Sequence, residues 1–471
     1  MTPATTSTPS ATSDAWRDIL RSMMALSLPV LAEEALNMLV GYTDWILTAR
    51  FLAGDEPLAA MTLMAYLLWL LPGMFSIVSI GAHALVARLV GNKQNDDASF
   101  VVAQSLLLGL FSAVVTMLLM GLGGAMLTSA MQSNVEVQTL ANRYLWILLP
   151  VVPMVMLEQV GSACLRAAGD TVSGMVARVI LNITNLVVSF LLVTGYGPFP
   201  KLGWDGLAIG TATGHFLGGA IILLMLLRGR SHIRLKWERP RLDLAVLTRL
   251  VRVGIPGGAD MLAIISCHMV YVAIIGKLGT VAQAAHGLGV QIEAMSYLPG
   301  HAFQAAAATL AGQAIGAGDL RRATRSALAA AITAVIVMSL AGLVFATQGL
   351  AIAAMFTGSW ESDTVLLTAQ LLKIVAVSCP FLAVLMIFSG ALRGSGDTRW
   401  LLVITLVGLV GVRLPLAALL AWDSVPIGSF VIGGFGYGVA GAWWAMVIDV
   451  VVRCGVISYR FFQGGWRLVK V

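Results

Sequence analysis

The stretch "LRAAGDT", residues 165–171, recurs as "LRGSGDT" at residues 392–398, 227 positions later. In each copy a glycine, Gly169 or Gly396, permits a left-handed turn at the end of one helix. An Asp or Thr (Asp170, Thr171; Asp397, Thr398) then offers oxygen to the free N–H groups that open the next helix. The motif predicts a tight helix-turn-helix in each half of the chain, with Arg166 and Arg393 either snorkelling toward water or pairing with the neighbouring Asp. The prolines keep the same offset: Pro29 maps to Pro256, Pro72 to Pro299 and Pro153 to Pro380. The chain reads as two copies of one unit.

What surrounds the repeated turns is unusually apolar. Of 471 residues 58% are hydrophobic and 11% charged, with a mean hydropathy of +0.89, whereas about a quarter of residues are charged in an ordinary soluble domain. Long weakly charged runs recur throughout, each near the roughly 20 residues that a helix needs to cross a bilayer. Breaking the chain at its charged and Gly/Pro-rich joints predicts twelve spans, near 23–48, 57–86, 99–126, 138–161, 173–195, 205–227, 250–276, 282–311, 325–348, 365–390, 400–421 and 436–459. Six spans per half return the chain to its starting side, so the two copies share one orientation about an axis along the membrane normal. The expected fold is an all-α integral membrane protein of two six-helix lobes facing a central cleft.

Charge fixes the expected topology. The net charge is +6, and 23 of the 29 Lys and Arg fall on the side of the two termini; Arg50, Arg143, Lys201, Lys277, Lys373 and Arg413 fall on the other. That bias predicts both termini in the cytoplasm; the membrane itself is expected to be the plasma (inner) membrane. The organisation is then a disordered Ser/Thr/Pro-rich tail over 1–20, an N-lobe over 21–227, a basic cytoplasmic linker over 228–249 and a C-lobe over 250–471. A basic excess of this kind records topology, so no nucleic-acid partner is expected, and the chain is expected to work as a monomer. Cys164, Cys267, Cys379 and Cys454 are too far apart for a metal cluster or disulfide framework. No P-loop, nucleophile elbow or HExxH motif is present, and no extramembrane segment could house a soluble active site. Neither enzyme activity nor a cofactor is expected.

The paired LRxxGDT turns, the segment "AAHGLGVQIEAMSYLPGHAFQAAAATLAGQAIGAGD" at 284–319 and "GVAGAWWA" at 438–445 resemble the multidrug and toxic-compound extrusion (MATE) transporters, from about residue 20 onward. The resemblance implies export of organic compounds, cationic or amphipathic, in exchange for protons or sodium ions by alternating access. A lipid-linked oligosaccharide flippase of related two-lobe fold is the alternative. It would need Arg and Lys in the cleft for pyrophosphate, whereas the charges inside these spans are mostly carboxylates.

Those carboxylates are costly, at about 2.5–3.5 kcal/mol each at a helix centre, so they must face protein or a water-filled cavity. At 100° per residue Glu33, Asn37 and Asp44 of span 1 share a face, and Glu34 points elsewhere. Counted from about residue 22, Glu33 falls near the midplane and Asp44 toward the outer side. Burial favours the neutral form of a carboxyl, which makes reversible protonation available at Asp44. Asp260 is the repeat mate of Glu33 and could face it across the cleft; Glu293 of span 8 is a further candidate cleft or substrate contact, as are Glu34 and Asn37. Asn182 and Asn185 of span 5 suit cation-network partners, a sodium ion near Asp44 included, or ordinary interhelical hydrogen bonds. His83, His215, His268, His286 and His301 have no zinc-like spacing and read singly as packed histidines.

The resemblance adds weight to Asp44, because MATE transporters carry an Asp fifteen residues after the proline that here is Pro29. In one branch that Asp works with a helix-5 Asn, matched by Asn185, and with an acid four residues later, where this chain has Ser189. In another branch acids in helices 7 and 10 bind the cation, and the matching positions, Ile264 and Leu382, are apolar. The coupling cation is therefore expected in the N-lobe, with the partner of Asp44 unassigned.

Overall fold

Capping oxygens and glycines set the helix ends. Asn134 accepts the backbone N–H of Glu136 at 2.9 Å, Asp243 that of Ala245 at 2.8 Å and Asp319 that of Arg322 at 2.8 Å, each relieving donors that an open helix terminus leaves free. The computed structural model describes residues 10–131, 134–236, 242–358, 360–427 and 430–469. Its helices are α1 (Ser10–Phe51), α2 (Glu56–Gly91), α3 (Asn95–Met131), α4 (Val135–Ala167), α5 (Val172–Thr194), α6 (Trp204–Arg228), α7 (Leu244–Gly276), α8 (Thr280–Gly316), α9 (Leu320–Thr357), α10 (Asp363–Ser395), α11 (Thr398–Ala421) and α12 (Gly438–Gln463).

Among the described residues, eleven of these are long and apolar enough to cross a membrane. The twelfth, α8, has the length, at 37 residues; its lower hydropathy reflects Glu293, two histidines and four glutamines. The chain is thus an all-α, multi-pass membrane protein, α1–α6 forming one lobe and α7–α12 the other. Leu122, Met126, Ile336, Leu340 and Met355 stand exposed, as they can where the neighbour is hydrocarbon.

Three details depart from the sequence reading. Residues 10–20, expected in a disordered tail, are the opening turns of α1, where Ile19 is buried; residues 1–9 lie outside the described segments. Residues 244–249, assigned to the linker, already belong to α7. The preceding residues 230–236 lie against the N-lobe, with Lys236 Nζ 2.8 Å from Asp96. A short antiparallel hairpin, β1 (Ser424–Ile427) with β2 (Phe430–Gly433), joins α11 to α12.

The repeated turns fold as expected in their backbone. Gly169 and Gly396 have φ of 93° and 84°, and Asp170 N and Asp397 N donate back to Leu165 O and Leu392 O at 2.8 and 2.9 Å. Their side chains diverge. Asp170 accepts from the Ser173 N–H and hydroxyl at 2.9 and 2.6 Å, whereas Asp397 takes Arg460 Nε at 3.0 Å and Thr398 donates to Val253 O at 2.7 Å.

The lobes interlock at the end that carries these turns. Met23 and Leu26 of α1 share a core with Phe303, Met338 and Leu382 of the C-lobe, and Leu250 and Val253 of α7 join the core of the N-lobe. Helices α2 and α8 touch backbone to backbone, since a Cβ on Gly316 would lie 2.0 Å from Arg88 O. Only glycine fits there.

Candidate functional site

Asp44 sits on the face of α1 that the 100° periodicity assigns to it, and only 1% of it is exposed. Helices α4, α5 and α6 close round it. Thr211 Oγ1 donates to Asp44 Oδ2 at 2.8 Å, and Asn185 Nδ2 donates to Asp44 Oδ1 at 3.2 Å and lies 2.9 Å from Thr211 Oγ1. The Tyr144 hydroxyl bridges Thr211 Oγ1 at 2.9 Å and Asp44 Oδ2 at 3.4 Å. All four side chains are buried. A carboxylate removed from water persists only with such hydrogen bonds, and every one of these donors can also meet a neutral carboxyl.

The acid missing from α5 is explained by packing. Ser189 is fully buried, and a Cβ on Gly210 of α6 would lie 2.0 Å from its Oγ. Helices α5 and α6 are in backbone contact at this level. Thr211, one residue along α6, supplies the polar partner in its place. One acceptor in the cluster, Asn185 Oδ1, is buried with no hydrogen-bond partner.

Glu33 and Asp260 lie elsewhere and do different work. Arg166 Nη1 holds both Glu33 oxygens at 3.0 and 3.2 Å, and Arg393 Nη2 holds Asp260 Oδ2 at 2.6 Å. Each acid is thus tied within its own lobe to the arginine of the repeated turn. The two acids make their hydrogen bonds to these arginines and not to each other, and neither arginine pairs with its adjacent Asp. The depth reading also shifts: Glu33 lies beside Gly174, in the first turns of α5, where a Cβ would come within 2.9 Å of Glu33 Oε2. Asp44 lies level with Asn185, near the middle of α5. Because α1 begins at Ser10, about 18 Å of helix precedes the point from which depth was counted.

The remaining candidates separate by place. Asn37 Nδ2 approaches Glu34 Oε2 at 3.4 Å on an exposed face, so Asn37 is not with Asp44. Asn182 donates to Arg178 O of its own helix at 2.8 Å and makes no hydrogen bond to Asp44. Glu34 lines a cavity of about 220 Å³ between the lobes, together with His83, Arg166, His301, Gln304 and Arg393. Glu293 is buried within the C-lobe, accepting from the Tyr297 hydroxyl at 3.1 Å. Arg413, expected beyond the membrane, is half-buried at the end of a π turn, Val407–Arg413, and binds Asp449 at 2.8 Å; Arg453 holds the same carboxylate at 2.7 Å. His286 accepts from Trp443 Nε1 at 3.2 Å, a packed histidine.

Thr211, Tyr144, Glu158 and Arg178 were not singled out in the sequence. Glu158 of α4 is buried, with Oε2 3.4 Å from Arg178 Nη1 and 3.1 Å from His215 Nδ1. A buried acid in the otherwise apolar run before the first repeated turn was the available signal. Among the described residues no three His, Cys, Asp or Glu side chains gather as a metal site requires.

Comparison with known proteins bears on the family and the fold. The chain is 23% identical over 457 residues to a probable multidrug resistance protein NorM of Thermotoga maritima, covering 96% of this chain and 94% of that one. It is 26% identical to the multidrug resistance protein MdtK of Pectobacterium atrosepticum, over 94% and 95% of the two chains. The fold matches the MATE transporter VcmN of Vibrio cholerae in its bent form, with TM-score 0.84, 18% identity and coverage of 96% and 98%. It also matches an outward-facing multidrug resistance MATE transporter, with TM-score 0.86, 20% identity and coverage of 99% and 100%. The MatE family model matches residues 29–191 and again 256–419, one match in each half and well over half the chain together. The chain belongs to the MatE family, that of the multidrug and toxic-compound extrusion transporters, and is a secondary transporter.

Proposed function

We propose that the protein is an antiporter that exports organic compounds, cationic or amphipathic in character, in exchange for a proton bound at Asp44. It works as a monomer in the plasma (inner) membrane with both termini in the cytoplasm. The observation that carries this reading is the enclosure of Asp44 by Thr211, Asn185 and Tyr144 on three other helices. Protonation removes a buried charge and lets the Thr211 and Tyr144 hydroxyls reverse their hydrogen bonds, so the packing of α1 against α4–α6 becomes sensitive to the proton. Coupling requires that sensitivity, since a ligand shifts a conformational equilibrium only by binding its states unequally. The relatives' names as multidrug resistance proteins support an organic compound as cargo, and Glu34, the acid that lines the cavity between the lobes, supports a cationic one. With the lobes interlocked at the turn end, which the basic residues assign to the cytoplasm, the cleft is closed on its cytoplasmic side.

A second reading has its own observation. Asn185 Oδ1 lacks a partner and stands with the Thr211, Tyr144 and Ser189 oxygens, a set able to ligate a sodium ion. Uptake of a fluorescent organic cation such as ethidium into proteoliposomes separates the two. A pH gradient drives accumulation in the proton reading, and a sodium gradient at constant pH drives it in the other. Asp44→Asn keeps the shape of the side chain and removes its titration; driven uptake is expected to fall at least tenfold. Coupled uptake at the wild-type rate in that variant overturns the assignment.

A further inference from the structure

Glu158 is a buried carboxylate that the Asp44 site does not use. It lies in a π turn of α4, Leu157–Gly161, an irregularity that adds a residue to the helical turn and is frequent at functional sites. Its Oε2 takes both available partners, Arg178 Nη1 of α5 at 3.4 Å and His215 Nδ1 of α6 at 3.1 Å. Its Oε1 is buried without a hydrogen-bond partner. Gly218 of α6 makes the space for that oxygen, because a Cβ there would lie 2.4 Å from it.

The placement relative to Asp44 is regular. His215 follows Thr211, the partner of Asp44, by one helical turn on α6, and Arg178 precedes Asn185 by two turns on α5, so both lie on the faces that build the Asp44 site. The displacement runs toward the end that carries the repeated turns. The other packed elements bring no competing charge into hydrogen-bonding contact. His83 of α2 approaches Thr309 at 3.5 Å, α3 carries its acids, Asp96 and Asp97, in its first turn, and Glu33 of α1 is held by Arg166.

We propose that Glu158, with His215, is a second proton-binding station of the N-lobe, placed between Asp44 and the turn end and standing in for the acid that Ser189 replaces. This rests on the proton reading of Asp44. With Oε1 unpartnered, the carboxylate is less than fully satisfied as an anion, and its Oε2 already touches the ring that would deliver a proton. In the step, the O–H bond at Asp44 breaks and the proton goes to Nε2 of His215, while the Nδ1–H bond of the same ring breaks and an O–H bond forms at Glu158 Oε2, which then donates back to Nδ1; the imidazole stays neutral overall and Asp44 is left ionised. A carboxylate serving only as a structural counter-ion to Arg178 would take up no proton during transport.

The test measures protons released per substrate bound, using the full-length protein in weakly buffered detergent with ethidium as the probe, together with the pH profile of pH-gradient-driven uptake in proteoliposomes. In Glu158→Gln the release is expected to fall by one proton per ethidium and the pH profile to lose one titration step. His215→Gln is expected to slow driven uptake about tenfold or more while leaving equilibrium ethidium binding unchanged. Should Glu158→Gln fail to fold because Arg178 is left unpaired, the double variant Glu158→Gln/Arg178→Gln removes both charges and is read the same way. Wild-type proton release and an unshifted pH profile in whichever of these variants folds overturn the proposal. Asp44→Asn distinguishes the two levels: if it retains coupled uptake, the Asp44 reading fails; if it abolishes uptake while the Glu158 variants behave as wild type, only the second station fails.

Discussion

At the scale of single residues, the burial of Asp44 and its neighbour Asn185 were legible, and the two hydroxyls beside them were not. A lone carboxylate fifteen residues after Pro29 declares itself by its cost in hydrocarbon. Its partners lie 100, 141 and 167 positions away, at Tyr144, Asn185 and Thr211, and nothing local in "NRYLWIL" or "GTATGH" marks those hydroxyls. Ser189 shows why the expected acid could not be inferred from α5 alone: the residue that forbids it, Gly210, is on α6. Ser189→Asp is therefore expected to disrupt the contact between α5 and α6 rather than restore an acid. Overpacking of this kind costs about 1–3 kcal/mol, before the added cost of a buried charge. Thermal unfolding in detergent should show a lower midpoint for Ser189→Asp than for Ser189→Ala, and driven uptake should be lost rather than enhanced.

At the scale of elements, most helices followed from composition, and their depths did not. Twelve spans emerge from hydropathy and charge, yet α1 starts at Ser10 because Ile19, Met23 and Leu26 are buried. The π turns in α4 and α11 are equally invisible to a 3.6-residue periodicity. A subtler signal was present. The acid at 33 or 260 and the arginine at 166 or 393 recur together at the same offset, which marks a contact kept in both repeats rather than two independent snorkelling residues. These pairs tie α1 to α4 and α7 to α10. Breaking one side of a fully buried pair costs about 3–5 kcal/mol; with about a fifth of the Arg166 side chain exposed, Glu33→Leu should cost nearer 2–3 kcal/mol. The double variant Glu33→Leu/Arg166→Met should recover much of that loss, because no orphan charge remains. Equality between the double variant and the sum of the single ones, measured by denaturation in detergent, would show that the pair does not couple the helices.

At the scale of the whole molecule, duplication sets the architecture, but the joint between the halves is made by contacts that the repeat does not encode. The repeated turns are held from across the lobe boundary. Thr309 and Gln313 of α8 donate to Arg166 O and Ala167 O at 3.0 and 2.8 Å, and Arg88 Nη2 of α2 donates to Ser395 O at 2.6 Å. The helices contributing these side chains are themselves in backbone contact through Gly91 and Gly316. Each lobe thus closes the turn of the other, and the transporter can expose its cleft at this end only by giving up these bonds. A net hydrogen bond is worth about 1 kcal/mol, and one made by a charged group about 1.5–3 kcal/mol. Arg88→Ala together with Gln313→Ala should therefore shift the balance toward the state open at the turn end by about 2–4 kcal/mol, or roughly 30-fold or more in population. Spin labels at the exposed positions Asn92 and Asp319 would report it. The wild type should give mainly the short distance of the interlocked ends, each single variant should add a longer one, and its share should grow when Arg88→Ala and Gln313→Ala are combined. A single unchanged distance in all variants would mean that backbone packing of α2 on α8, and not the exchanged hydrogen bonds, keeps this end shut.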